Sequence, residues 1–176
     1  MACLLTSGRT EPCRDAVGGL KNLYLIDFLE DAFTVTSGEV TAIDVGVTNA
    51  YKYQLNADGN TLVETFNTDN NAGTSTVEQV LTLVLKKQTK ESAVELGLLL
   101  KARPIAIVED RLGNFKAVGI EDGTIVTGDA QSGGAKADFN GYNLTLTATD
   151  TAPAPYLDSA TQTALLALVS ATNVTP

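Results

Sequence analysis

Histidine and tryptophan are absent from the 176 residues, and cysteine occurs only twice. Without histidine the commonest general base and the commonest metal ligand are both missing. Ser-His-Asp and Cys-His nucleophile systems are therefore excluded. Cys3 and Cys13 have no further Cys or His to complete a tetrahedral zinc site, so a metal would have to be shared between chains. Two cysteines also fall short of a disulfide framework, and the expected state is a pair of ordinary thiols. No cofactor is implied.

Positive charge is scarce as well. Twelve Lys and Arg stand against 21 Asp and Glu, a net charge of −9, and Lys86-Lys87 is the longest basic run. Nucleic-acid binding draws its affinity from clustered cations that displace counterions, so sequence-specific binding to DNA or RNA is not expected. Long apolar runs are missing too. Leu165–Val169 is too short to cross a bilayer, and Thr6–Asp15 is too polar to extend Met1–Leu5 into a secretory leader. The expectation is a soluble protein made in the cytoplasm, with no membrane partner.

What is present is a globular composition, 44% hydrophobic but only 19% charged. Thr, Ala, Asn and Gly are abundant, which suits strands and turns better than exposed helices. Residues 1–19 have no period and read as an irregular arm. Residues 20–150 read as a β-rich domain. "LKNLYLIDFL" from Leu20 predicts a strand or a fully buried run. "EVTAIDVG" follows. "YKYQLNADGNTLVETF" predicts a hairpin turning at Asp58-Gly59, with "NTDNNAGTS" as a polar loop after it. "STVEQVLTLVLKK" predicts a long strand, buried on both faces in its second half. "PIAIVED", "FKAVGI", "TIVTGD" and "YNLTLTATD" are short strands separated by turn residues about every 8 to 12 positions.

One helix is predicted over 89–102. Thr89 is its N-cap, Glu91 lies in its first turn, and Arg103-Pro104 ends it. Gly97 costs that helix about 1 kcal/mol relative to alanine. Residues 151–176 read as a linker, "TAPAPYLD", and a short C-terminal helix whose capping box is Ser159 and Gln162. The fold class is mainly β with one central helix (α+β), as a sandwich or barrel.

Three stretches imitate chemical motifs. "VGGLKN" has the glycines and lysine of a phosphate loop, but its lysine is displaced and it precedes a strand. "NADGN" starts like a calcium loop, yet its glycine is fourth rather than sixth and a strand resumes at Leu62. Glu109-Asp110 and Glu121-Asp122 are the carboxylate pairs that acid–base chemistry would use. They flank turns at Gly113 and Gly123, where acidic residues serve solubility, and open solvent is their expected place. A hairpin between them would bring the two pairs close enough to repel. No catalytic, cofactor-binding or metal site is expected, and the chain does not read as an enzyme.

"CRDAVGGLKNLYLIDF", "YKYQLN", "RPIAIVEDRLGNFKAVGIEDG" and "DFNGYNLTLTAT" lie across nearly the whole chain. In these stretches the sequence resembles a family of phage virion proteins from Bacteroidetes-type hosts. The resemblance implies a structural, self-assembling virion subunit of tail-tube type. Such subunits have a β-sandwich or barrel with a flanking helix and an arm that reaches neighbouring rings. They form homo-oligomeric, hexameric rings that stack with other virion proteins around a channel through which DNA passes. The acidic balance suits such a channel. Head and neck components are the alternative, and a calcium- or carbohydrate-binding sandwich a more distant one. The candidate contact residues for neighbours are Arg9, Arg14, Asp15, Gly18 and Gly19 of the arm.

Overall fold

The computed structural model describes residues 7–11, 13–14 and 16–169. Their elements run β1 (Leu20–Ile26), β2 (Phe33–Thr36), β3 (Glu39–Ile43), β4 (Tyr51–Gln54), β5 (Thr61–Asp69), β6 (Thr74–Lys86) and α1 (Lys90–Leu99). Then come β7 (Ile105–Asp110), β8 (Phe115–Val118), β9 (Ile125–Gln131), β10 (Gly141–Asp150), β11 (Tyr156–Leu157) and α2 (Ser159–Leu168). The strands form two open sheets, one of seven strands in the order β2-β3-β11-β8-β7-β1-β4 and one of four in the order β5-β6-β10-β9. The mainly-β α+β class is thus the observed one, with two helices and open sheets rather than a closed barrel.

Burial explains the layering. Between the sheets, Leu23, Leu25, Ala106 and Val108 meet Leu81, Leu83, Leu144 and Leu146. The other face of the seven-stranded sheet carries Tyr24, Ile26, Ile105, Ile107 and Ala117, covered in part by Leu165 of α2. Strands β1 and β7 are therefore buried on both faces, which is why they read as unbroken apolar runs. At the end of the inter-sheet core, α1 inserts Leu96 and Leu99, with the Thr89 hydroxyl accepting from the Ser92 amide as its cap.

The structure corrects several expectations. Asp58-Gly59 is a turn, but not a hairpin turn: β4 pairs with β1 and β5 pairs with β6, so the chain crosses there between sheets. The corner is pinned inward by buried Leu55 and Ala57 and by Asn60, whose amide donates to the Ala57 carbonyl while its oxygen accepts from the Val84 amide. A two-residue hairpin loop is found instead at Ser37-Gly38, both with positive φ, joining β2 to β3. "NTDNNAGTS" is mostly strand, since β5 and β6 pair out to Asp69 and Thr74.

Strand β6 is buried on one face only, because no element among the described residues covers the other and Val80, Thr82 and Val84 stay half-exposed. The "TAPAPYLD" linker also contributes a strand. Pro155 lacks an N–H but its carbonyl accepts from the Ala117 amide, and Tyr156–Leu157 then sits between β3 and β8. The cap of α2 is Asp158 rather than Ser159, its carboxylate accepting from the Thr161 amide, while Gln162 reaches back to the Leu157 carbonyl.

Candidate assembly surface

The four-stranded sheet is antiparallel throughout. Its inner face is the inter-sheet core. Its outer face is covered by no element among the described residues, and alternation fixes which side chains stand there. Cross-strand pairing aligns them in rows. Thr61, Thr82, Thr145 and Thr127 form one row across all four strands, and Val63, Val80, Thr147 and Ile125 form the next. The same alternation puts Asp69, Glu78 and Asp129 on this side, with Lys86 where β6 ends. The face is rich in hydroxyls and methyls, and mildly acidic.

Both borders of this sheet are open. Strand β5 runs nine residues and β9 seven, and among the described residues neither has a neighbour on its outer side. A strand border with unpaired N–H and C=O groups is a template for another strand unless charge, proline or brevity blunts it. Here the outward side chains at the borders include Val63 and Ile125, 53% and 67% exposed. One charge on β5 points inward. Glu64 is satisfied there by Lys116 Nζ at 2.8 Å and the Ala154 amide at 2.7 Å, so it ties β5 to the larger sheet. Lys116 itself is held above its ordinary range, because the bond to Glu64 outweighs the burial that would lower it.

The arm residues are placed separately. Arg9 and Arg14 are exposed, with no secondary structure and no ion pair among the described residues. Asp15 and Cys3 lie outside the described residues, and Cys13 is an exposed free thiol. Gly18 is unconstrained, whereas Gly19 takes a positive φ of 101°. Its carbonyl accepts from the Arg111 amide, which anchors the arm's root on the β7–β8 turn.

The acidic pairs do not form a site. Strands β7 and β8 do make a hairpin, with Ala106 opposite Val118. Glu109-Asp110 therefore stands at its turn and Glu121-Asp122 beyond its open end. Glu109 is also buried rather than solvated, 6% exposed. Its carboxylate accepts from Lys21 Nζ at 2.7 Å, Asn22 Nδ2 at 2.6 Å and Tyr24 OH at 3.1 Å. Burial alone would push Glu109 up, but these three donors outweigh it and hold the carboxyl below its usual range. Burial, reinforced by the Glu109 charge, pushes the Tyr24 phenol up. An open concavity of about 590 Å³ lies over this network, with Lys52 and Gln54 on its rim. A carboxylate already carrying three donors is a poor base, so the network serves the fold.

Asp110 closes the β7–β8 turn by accepting from the Leu112 and Asn114 amides. Asn60 is buried and spent on backbone groups, so "NADGN" is a corner rather than a ligand loop. Among the described residues, no group of three or more Cys, Asp or Glu is placed to hold a metal. The open strand borders were missed from sequence, because alternation reveals a strand's faces but not its neighbours.

No protein-family model, curated protein or solved structure matches the chain.

Proposed function

We propose that this protein is a structural subunit that assembles edge to edge into rings, and that the rings stack into the tube of a phage tail. The observation that carries the reading is the four-stranded sheet with two long borders that carry acids but no lysine, proline or register irregularity. Their directions are compatible. In the order β5-β6-β10-β9 every pair is antiparallel, so β9 of one copy and β5 of the next would also meet antiparallel. Head-to-tail repetition of that contact closes into a ring when the rotation allows it. Closure also removes every open border of the small sheet.

In such a ring the outer face of the four-stranded sheet lines a channel. Its threonine and valine rows offer no cation, Lys86 at the end of β6 is outnumbered by its acids, and those repel a polyanion, so DNA could pass without adhering. The seven-stranded sheet and α2 form the outside. The N-terminal arm, rooted at Gly19, is free to reach an adjacent ring through Arg9, Arg14 and Asp15. Six copies per ring and a place in the virion follow from the sequence resemblance.

Sedimentation velocity over a wide concentration range tests the assembly. A discrete, high-order species that grows with concentration is expected. A strictly monomeric protein at every concentration would refute the reading. Imaging of the assembled species then separates tail from head or neck, since stacked rings make a tube and a shell component does not.

A further inference from the structure

The chain passes from the larger sheet to the smaller one through the turn between β8 and β9. That crossover is tightly wound. Gly119 and Gly123 both have positive φ, and a Cβ on Gly123 would stand 2.5 Å from the Arg103 carbonyl oxygen. Two side chains from the four-stranded sheet hold it. Gln79 of β6 accepts from the Gly119 amide at 3.0 Å, and Asp150 of β10 accepts from the Ile120 amide at 3.3 Å. The two are themselves joined, Gln79 Nε2 donating to Asp150 Oδ2 at 3.2 Å.

Asp150 is 4% exposed, and its hydrogen bonds from Gln79 and Ile120 both fall on Oδ2. Its Oδ1 is buried and has no partner. Among the described residues no Lys or Arg lies within ion-pair distance of it. The nearby cations are already engaged, Lys116 with Glu64, which pairs in register with Gln79, and Arg103 with the exposed Asp122 of the turn itself. Across the turn stands another carboxylate, Glu121, held by the Thr151 amide and hydroxyl. A lone buried carboxylate with an orphaned oxygen and an acidic neighbour favours binding a proton.

We propose that Asp150 is a proton-binding latch, which fastens the β8–β9 crossover to the four-stranded sheet when protonated and strains it when ionised. Protonation at Oδ1 leaves the bonds to Oδ2 in place and removes the uncompensated charge. Burial, then the Glu121 charge, pushes the Asp150 carboxyl above its ordinary range, outweighing the Ile120, Gln79 and Glu121 donors that favour the ionised form. The folded state therefore holds this proton more tightly than the unfolded chain does. Its stabilising effect is full below the ordinary aspartate range and is lost as pH rises through the raised folded value. The latch concerns folding of the single chain and stands whether or not copies assemble.

The full-length protein and Asp150→Asn, unfolded by denaturant at one fixed concentration between roughly pH 4 and 8, test the latch. The ratio of wild-type to variant folding constant should fall about tenfold per pH unit from the ordinary aspartate range to the raised folded value, then level off. A ratio independent of pH overturns the proposal. If Asp150→Asn does not fold, carbon NMR titration of the Asp150 carboxyl in wild type and in Glu121→Gln decides instead. The wild-type midpoint should lie above the ordinary value and move down in Glu121→Gln, and a wild-type midpoint within the ordinary range overturns the proposal.

Discussion

The two sheets share one core yet treat their borders in opposite ways. The seven-stranded sheet ends in β2 and β4, each only four residues long. The pairing of β2 with β3 shifts register between Thr34 and Val35, where Thr41 of β3 is left over, and β4 carries Lys52. Brevity, bulges and lysine are the usual means of stopping a border from recruiting another strand. The four-stranded sheet ends in β5 and β9, more than double and nearly double that length, with Val63 and Ile125 exposed along them. The same chain thus keeps one pair of borders short and lysine-bearing or irregular, and leaves the other pair long and regular, with only acids to oppose pairing. Selective blunting is what an assembly through one sheet requires.

The largest way to break the contrast is to blunt the open borders. Val63→Lys combined with Ile125→Lys should abolish assembly, read as loss of the high-order species in sedimentation. Both sites are exposed, so the melting curve of the single chain should shift by no more than about 0.5 kcal/mol. Removing residues 1–17 comes next. It should spare the fold, as judged by circular dichroism, but weaken stacking between rings. A truncated protein that polymerises normally would contradict a role for the arm.

A smaller effect belongs to the seven-stranded sheet. Glu109→Ala strips Asn22 and Tyr24 of their buried acceptor and should cost about 3 kcal/mol in denaturant unfolding. Because Glu109 is held below its ordinary range, its contribution is complete above that range and disappears as pH falls through the folded value. The wild type should therefore lose its advantage over Glu109→Ala in acid. At the bottom of the scale, Lys52→Thr should change folding by less than about 0.5 kcal/mol. Its use is diagnostic: a new aggregate in the variant would show that Lys52 guards β4.

Much of this architecture is legible in the sequence. The runs in β1 and β7 announce strands buried on two faces, and Thr89 announces α1. The pairing of strands is another matter. Asp58-Gly59 has the strongest hairpin dipeptide, but Leu55, Ala57 and Asn60 around it are buried, and tertiary packing turns it into a corner between sheets. Ser37-Gly38, less conspicuous beside the short β2, makes the two-residue hairpin. The acidic pairs mislead for a similar reason, since a carboxylate and its three donors come from strands far apart in sequence. The open borders are least legible of all. Val63 and Ile125 look like ordinary strand residues until the strand order shows that, among the described residues, β5 and β9 have one neighbour each.

Electron cryomicroscopy of the concentrated protein, at a resolution that traces strands, tests selective blunting most directly. Rings in which β9 of one copy pairs antiparallel with β5 of the next, with β2 and β4 unpaired between copies, are predicted. Copies joined through β2 or β4, or particles in which β5 and β9 stay open, would contradict it.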